Sequence, residues 1–276
     1  MRNFEIGLQL YSIRDEMAKD VDSALKAVSE MGYDFVEPAG LAGKTAKEFK
    51  AILDKYNLKA HSIHLGYTTI MSDPEKNIED LKTLGVKYCV IPWMGVEFHK
   101  GSDGFDKAVS DIISVSKLLK DNGIELLYHN HSFEFDVIGN KFLLNWLFEE
   151  VGEEYIKPEF DTCWIKYAGI DPCEYIKDFA GKMDCLHFKD FSCDNLLLRP
   201  VNEILNDPDY KPEPLTRVER NFKFQPVGYG MQNLGELISL AEKCGTKYLI
   251  VEQDQFYGGS SLEDARLSIN SIRKEL

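Results

Sequence analysis

Apolar and polar residues follow two alternating periods along this chain. Short apolar runs of strand length are separated by longer stretches whose apolar residues recur every three or four positions, as in amphipathic helices. In the stretch 21–31, for example, Val21, Ala24, Leu25 and Val28 share one helical face. The predicted strands are 4–10, 35–36, 59–64, 87–91, 124–129, 156–161, 183–189 and 247–252.

The predicted helices lie after these strands. They are near 21–31, 45–56, from 73 onward, 105–120, 142–150, from 171 onward, 234–243 and 262–274. Glycines at 32, 85, 123 and 245 stand before the next strand, where they are typical helix C-caps. Eight strand–helix units predict a parallel sheet that closes into a (β/α)8 TIM barrel, a single domain over 1–276. The alternative, an open doubly wound sheet, lacks a glycine-rich phosphate loop after the first strand.

One segment interrupts this pattern. Residues 191–224, after the seventh strand, contain Pro200, Pro208, Pro212 and Pro214 among mixed charges. Loops longer than about 12–15 residues without secondary structure are uncommon and often functional. The segment follows a strand, so we expect it at the C-terminal face of the barrel, where active sites form. It is either a lid over the site or a surface insertion.

Composition narrows the set of partners. The 276 residues carry a net charge of -14 without a dense basic run, which makes nucleic acid a poor partner. No apolar run approaches the ~20 residues that span a bilayer, and no secretion signal is evident, so we expect no membrane association. The six cysteines form no C-x-x-C pair, which favours reduced thiols in a cytoplasmic protein over a disulfide framework.

Residues with metal-ligand chemistry end four consecutive predicted strands. They are His129 or His131, then Asp161, His187 and Glu252. Strand ends converge over the mouth of a barrel, so these side chains are expected to meet there. Mixed imidazole and carboxylate ligands suit Mn, Fe, Co or Zn. The alternatives are structural: a hydrogen-bonded histidine, a helix cap at Asp161 and a lysine pair at Glu252.

Other polar or aromatic residues at strand ends are candidates for the substrate. Gln9, Glu37, His64 and Trp93 are predicted to bind it. His61 and His64 are three residues apart, so on an extended strand they would face opposite sides, with His64 nearer the mouth.

At this point the sequence resembles the sugar phosphate isomerase/epimerase family with the xylose-isomerase-like barrel. The resemblance runs nearly end to end, through the motifs at 7–15, 32–37, 61–64, 128–135, 161–164, 187–190 and 251–254. It implies that a divalent metal is held by His129, Asp161, His187 and Glu252. It also implies, as a family-level expectation only, a homodimer.

Two departures separate this chain from the ketose 3-epimerases of that family. Those enzymes carry a glutamate where this chain has His129, and they use two glutamates for proton transfer. They also tend to carry an acidic residue between two glycines, where this chain has Tyr229 between Gly228 and Gly230. The two-glutamate mechanism therefore does not transfer intact.

The expected function is metal-dependent isomerisation or epimerisation of a sugar, by proton abstraction next to its carbonyl. Glu252 is the family-like base or ligand, and His131 and Lys189 are further catalytic candidates. The alternative is a lyase that eliminates or adds a substituent on a 3-oxo sugar or glycoside. A non-catalytic sugar-binding protein is more distant, and cleavage of DNA at abasic sites would need more ligands and a basic groove.

Overall fold

The computed structural model describes residues 4–276 and forms an α/β barrel. Residues 1–3, part of the predicted domain 1–276, lie outside the described range. The strands are β1 (Glu5–Gln9), β2 (Phe35–Glu37), β3 (Lys59–Ala60), β4 (Ser62–His64), β5 (Tyr88–Ile91), β6 (Glu125–His129), β7 (Val137–Ile138), β8 (Lys141–Phe142), β9 (Lys157–Asp161), β10 (Cys185–Phe188), β11 (Asp190–Ser192), β12 (Lys223–Gln225) and β13 (Tyr248–Val251).

Nine of these strands form one parallel sheet in the order β3-β2-β1-β13-β10-β9-β6-β5-β4. The edge strands β3 and β4 are successive pieces of one chain segment, interrupted at His61. A bridge between Ala39 and His64 joins this segment again to the region after β2. The sheet therefore closes on itself as eight strand segments, which confirms the predicted TIM barrel.

The helices on the outside follow the predicted pattern closely. They are α1 (Arg14–Lys19), α2 (Val21–Met31), α3 (Ala46–Lys55), α4 (Tyr67–Ser72), α5 (Pro74–Leu84), α6 (Phe105–Asp121), α7 (Leu143–Val151), α8 (Thr162–Tyr167), α9 (Pro172–Ile176), α10 (Val201–Leu205), α11 (Leu234–Cys244) and α12 (Ser261–Glu275). The short helices α1, α4, α8 and α10 were not predicted, because five or six residues are too few to show a helical period. Among the described residues, no helix has the length and apolarity needed to cross a membrane.

The interior of the barrel is apolar at its N-terminal end. A cluster of buried residues fills this end: Phe35, Tyr88, Val90, Leu127, Cys185, Tyr248 and Ile250. Gly7 is required here because a Cβ at this position would meet the ring of Phe35. The polar residues of the strand ends lie above this apolar plug, toward the C-terminal ends of the strands.

The long segment after β10 is folded rather than structureless. Its two ends form an antiparallel pair, β11 with β12, and α10 lies between them. Phe191, Phe222 and Phe224 from the base of the hairpin pack with Trp164 and Tyr167 of α8 in a separate aromatic cluster. The hairpin is thereby attached to α8, the helix that follows Asp161.

Candidate metal centre

The strand-end residues predicted as ligands meet at the top of the barrel. His129, Asp161, His187 and Glu252, here called the outer cluster, each offer one ligand atom, and these atoms lie within 4.8 Å of one another. His129 Nε2 is 3.4 Å from Asp161 Oδ2 and 3.6 Å from Glu252 Oε2, and His187 Nδ1 is 3.0 Å from Glu252 Oε2. All four side chains are buried.

Asp161 has both of the roles that the sequence suggests. Its Oδ1 accepts hydrogen bonds from the backbone N–H groups of Cys163 (2.8 Å) and Trp164 (3.2 Å), which caps α8. Its Oδ2 is fully buried and has no hydrogen-bond partner. One oxygen thus fixes the side chain, and the other is free for an ion.

The charges of the outer cluster are strongly coupled. Burial opposes ionisation of Glu252, but Lys189, His129 and His187 outweigh it and hold the pKa of this carboxyl well below its usual range. Burial also opposes protonation of His129, yet contacts with Asp161 and Glu252 raise the pKa of its imidazole. Without an ion, protons on these histidines therefore balance the carboxylates.

A divalent ion fits this set of residues. His129 Nε2 and Asp161 Oδ2 are buried without a hydrogen-bond partner, although such atoms are nearly always paired in native proteins. Two imidazoles and two carboxylates are the ligands that Mn, Fe, Co and Zn share. The donor set does not select one of these metals.

The motif 128–135 builds the wall of this site. The Asn130 side chain accepts a hydrogen bond from the backbone N–H of Asp161 (3.0 Å), which ties β6 to β9. Glu134 accepts hydrogen bonds from the Tyr128 hydroxyl (2.9 Å) and the His131 backbone N–H (2.7 Å). Burial raises the pKa of Glu134 to about 7. Its role in the motif is to hold the loop that presents His131.

Of the two histidines in that motif, His129 belongs to the outer cluster and His131 lies beside it. The ring centroids of His129 and His131 are 5.1 Å apart. The His131 ring stacks on Phe133 and contacts Trp164, and its Nδ1 is buried without a partner. His131 therefore has an unpaired ring nitrogen next to the metal centre.

Lys189 is buried among the acidic residues of the site. Its Nζ is 2.7 Å from Asp254, 3.2 Å from Glu252 and 3.6 Å from Asp161. Burial disfavours its charge, but these carboxylates outweigh burial and raise the pKa of the ammonium. Lys189 consequently stays protonated at neutral pH.

The predicted substrate contacts divide into two groups. Gln9, Glu37 and His64 are in or next to a second set of buried residues, Glu37, His64, Glu159 and His187, here called the inner cluster. Trp93 follows β5 and is 54% exposed. Glu159 was not predicted as a site residue, although it lies two residues before Asp161 and so faces the same side of β9.

His61 does not face away from His64 in the way an extended strand would require. The chain is interrupted at His61, whose ring packs against Phe35 and Tyr248 of the apolar plug. His64 contacts Glu37 and Glu159 in the inner cluster. Both rings thus point into the barrel, and the predicted alternation is wrong because the strand is not continuous.

The segment 191–224 contacts the loops around the site. The Ser132 hydroxyl donates a hydrogen bond to Glu213, and the Arg217 guanidinium lies 4.6 Å from the ring centroid of Trp164. These contacts are compatible with a lid, which stays a prediction.

Asp190 organises the loop in which relatives tend to place an acidic residue between two glycines. Its carboxylate accepts hydrogen bonds from the backbone N–H groups of Gly228, Gly230 and Gln232 at 2.9–3.0 Å. Tyr229 itself is 58% exposed. The carboxylate at this loop therefore comes from Asp190, the first residue of β11.

Comparisons with known proteins agree with the barrel fold. An inosose dehydratase of Geobacillus kaustophilus is 24% identical over 201 residues, and the match spans 64% of this chain and 64% of that protein. A sugar phosphate isomerase/epimerase structure from Parabacteroides distasonis superposes with a TM-score of 0.77 at 21% identity and covers 98% of both chains. The structure of IolI protein with a bound zinc atom superposes with a TM-score of 0.71 at 15% identity and covers 99% of both chains. The family model for xylose isomerase-like TIM barrels matches residues 25–275, and this chain therefore belongs to that family.

Proposed function

We propose that this protein is a divalent-metal-dependent enzyme that removes a proton next to the carbonyl of a keto sugar or keto cyclitol. The observation behind this proposal is the outer cluster, in which two buried ligand atoms lack partners beside an unpaired imidazole nitrogen. A divalent ion held by His129, Asp161, His187 and Glu252 would supply a Lewis acid for the substrate's carbonyl oxygen. The other steps fall to side chains of this chain.

His131 is the base in this proposal. Burial and the nearby charges of His129 and Lys189 hold the pKa of its imidazole well below the usual value. The ring is therefore neutral, and its unpaired Nδ1 can accept a proton from carbon. A well-placed general base contributes about 10²–10⁴-fold to the rate.

Lys189 stabilises negative charge rather than taking up a proton. The breaking C–H bond leaves its electron pair on the carbon–carbonyl unit, and negative charge develops on the carbonyl oxygen. A fixed ammonium in a buried site favours that charge. The ion pair with Asp254 holds the Lys189 Nζ in place.

We favour elimination as the next step. The electron pair expels a hydroxyl or alkoxyl group from the β-carbon, this group leaves as water or alcohol after protonation, and a conjugated enone results. Inversion of a carbon centre calls for proton donors and acceptors on opposite faces, and His129 replaces the glutamate that one face would use. The dehydratase named among the relatives supports the same choice.

Epimerisation or isomerisation is the second candidate, because both begin with the same proton abstraction. The name of the Parabacteroides distasonis structure supports it. The two candidates differ only in whether the intermediate is protonated again or loses its β-substituent.

Proton NMR in D₂O distinguishes them. The metal-loaded protein is incubated with inosose, a 3-oxo-glucoside and a set of free ketoses. Elimination predicts an enone signal or a released aglycone, whereas deuterium at the α-carbon of an intact or epimerised sugar supports the second candidate.

Variants test whether the outer cluster and His131 are responsible for turnover. Glu252→Gln is expected to abolish it, and His131→Gln is expected to lower it by about 10²–10⁴-fold. His61→Gln, in the apolar plug, is the matched control and retains it. Full turnover in Glu252→Gln would contradict the catalytic role of the outer cluster, whereas binding of a sugar without any turnover by the wild type would leave a sugar-binding protein.

A further inference from the structure

The inner cluster lies directly below the outer cluster and shares His187 with it. Glu159 precedes Asp161 by two residues on β9, which places it one step nearer the apolar plug. His64 Nε2 lies 3.0 Å from Glu37 Oε1 and 2.9 Å from Glu159 Oε2. His187 Nε2 lies 2.9 Å and 3.2 Å from the same two oxygens. Two nitrogens and two oxygens thus alternate around a closed ring of four contacts.

Hydrogen bonds alone do not account for this ring. Each Nε2 atom carries at most one hydrogen, so two hydrogens serve four short contacts. Glu37 Oε1 already accepts a hydrogen bond from the Gln9 amide at 2.8 Å. The second oxygens, Glu37 Oε2 and Glu159 Oε1, are fully buried and have no partner. Two carboxylates at this depth need cations to balance them, either protons on His64 and His187 or a metal ion.

The size of the ring suits a metal ion. Four atoms separated by 2.9–3.2 Å along the ring lie about 1.8–2.1 Å from their common centre, depending on the pucker, against about 2.0–2.2 Å for zinc bound to nitrogen or oxygen. Two imidazoles and two carboxylates would supply four ligands of the kinds that bind zinc.

We propose that the inner cluster is a second cation site, for zinc or a similar transition metal, joined to the outer site through the His187 ring. Nε2 of His187 faces the inner ion, and Nδ1 faces the outer ion. Binding at both positions displaces the protons from both nitrogens of His187, and these protons pass to solvent. The inner ion fixes the His187 ring, and with it the geometry of the outer site.

Metal content tests this proposal with the full-length protein and Zn²⁺ as the probe. The protein is stripped with a chelator, titrated with Zn²⁺ by calorimetry, desalted and analysed by mass spectrometry. We expect two zinc ions per chain. His64→Gln and Glu159→Gln each reduce this number to one, and Asp161→Asn also reduces it to one by removing the outer site. Combining His64→Gln with Asp161→Asn leaves none.

His61→Gln is the matched control, because His61 is three residues from His64 but contacts the apolar plug; it keeps two ions. Circular dichroism and melting curves establish whether each variant is folded. If the variants do not fold, zinc-edge anomalous diffraction of the wild-type protein decides, with one peak expected on each side of His187. One ion per wild-type chain, unchanged by His64→Gln, would overturn the proposal and leave the inner cluster as a hydrogen-bonded support. These readouts require no turnover, so failure of the proposed reaction is recognised separately.

Discussion

Replacing Asp161 by asparagine or by alanine separates its two roles. Oδ1 caps α8 through the N–H groups of Cys163 and Trp164, whereas Oδ2 is free. Asparagine keeps an oxygen for the cap and places an amide where Oδ2 was, so it removes the ligand but retains the cap. Alanine removes both.

The expected difference follows from these contacts. Loss of a helix cap costs about 1 kcal/mol, and here about 1–3 kcal/mol because two buried N–H groups lose their acceptor. In the metal-free protein, the free energy of unfolding of Asp161→Asn is therefore expected to lie within about 1 kcal/mol of the wild-type value. We expect Asp161→Ala to lie about 1–3 kcal/mol below Asp161→Asn.

Urea unfolding in the presence of a chelator measures the loss of the α8 cap. Metal content after loading measures the loss of the ligand. Both variants should bind one ion fewer per chain than the wild type. An ion at 100 times its dissociation constant adds about 2.7 kcal/mol to the unfolding free energy, and this gain at the outer site should vanish in both variants. Retention of the ion by Asp161→Asn would refute the ligand role of Oδ2. Equal unfolding free energies of Asp161→Asn and Asp161→Ala without metal would refute the capping role of Oδ1.

Three further predictions follow. His131→Gln lowers the turnover number by about 10²–10⁴-fold with unchanged metal content, which steady-state kinetics and mass spectrometry check together. The pKa values of His129 and His187 are raised in the metal-free protein, so the binding of an ion must release protons. Chelator competition between pH 6 and 8 should therefore show a metal affinity that rises by up to about tenfold per pH unit for each proton released. Gly230→Ala brings a Cβ against the Asp190 carboxylate and lowers the melting temperature, with a cost of about 1–3 kcal/mol. An unchanged melting curve would show that the loop around Gly230 can shift to accommodate the added methyl group without loss of stability.

The barrel and the outer cluster could be predicted because their signals are local and repeated. Alternating apolar periods indicated the strand–helix units. Ligand-type residues at four successive strand ends indicated His129 or His131, then Asp161, His187 and Glu252, and the family resemblance favoured His129. The end of a strand fixes where a residue lies around the mouth of the barrel. Its height along the barrel axis depends on the register between neighbouring strands. In the structure these four residues lie together, and their role as metal ligands stays a prediction.

The inner cluster could not be predicted in the same way, because its level depends on register. Glu37 and His64 also end their strands, but in the structure they group with Glu159, which lies two residues before Asp161. The break at His61 depends on packing against Phe35 and Tyr248, and no pattern in the sequence indicates it. Within the inner cluster, the sequence could have indicated Glu159, because it lies two residues before the predicted ligand Asp161 and so faces the same side of β9.

The apolar plug at the N-terminal end of the barrel makes the site accessible from one side only. Phe35, Tyr88, Leu127 and Tyr248 occlude the lower end, so water, ions and protons enter and leave past the loops at the mouth. Release of a bound ion is then limited by how often those loops open. The rate of metal loss should therefore reach a plateau as chelator concentration rises, and the plateau value measures the opening rate of the mouth.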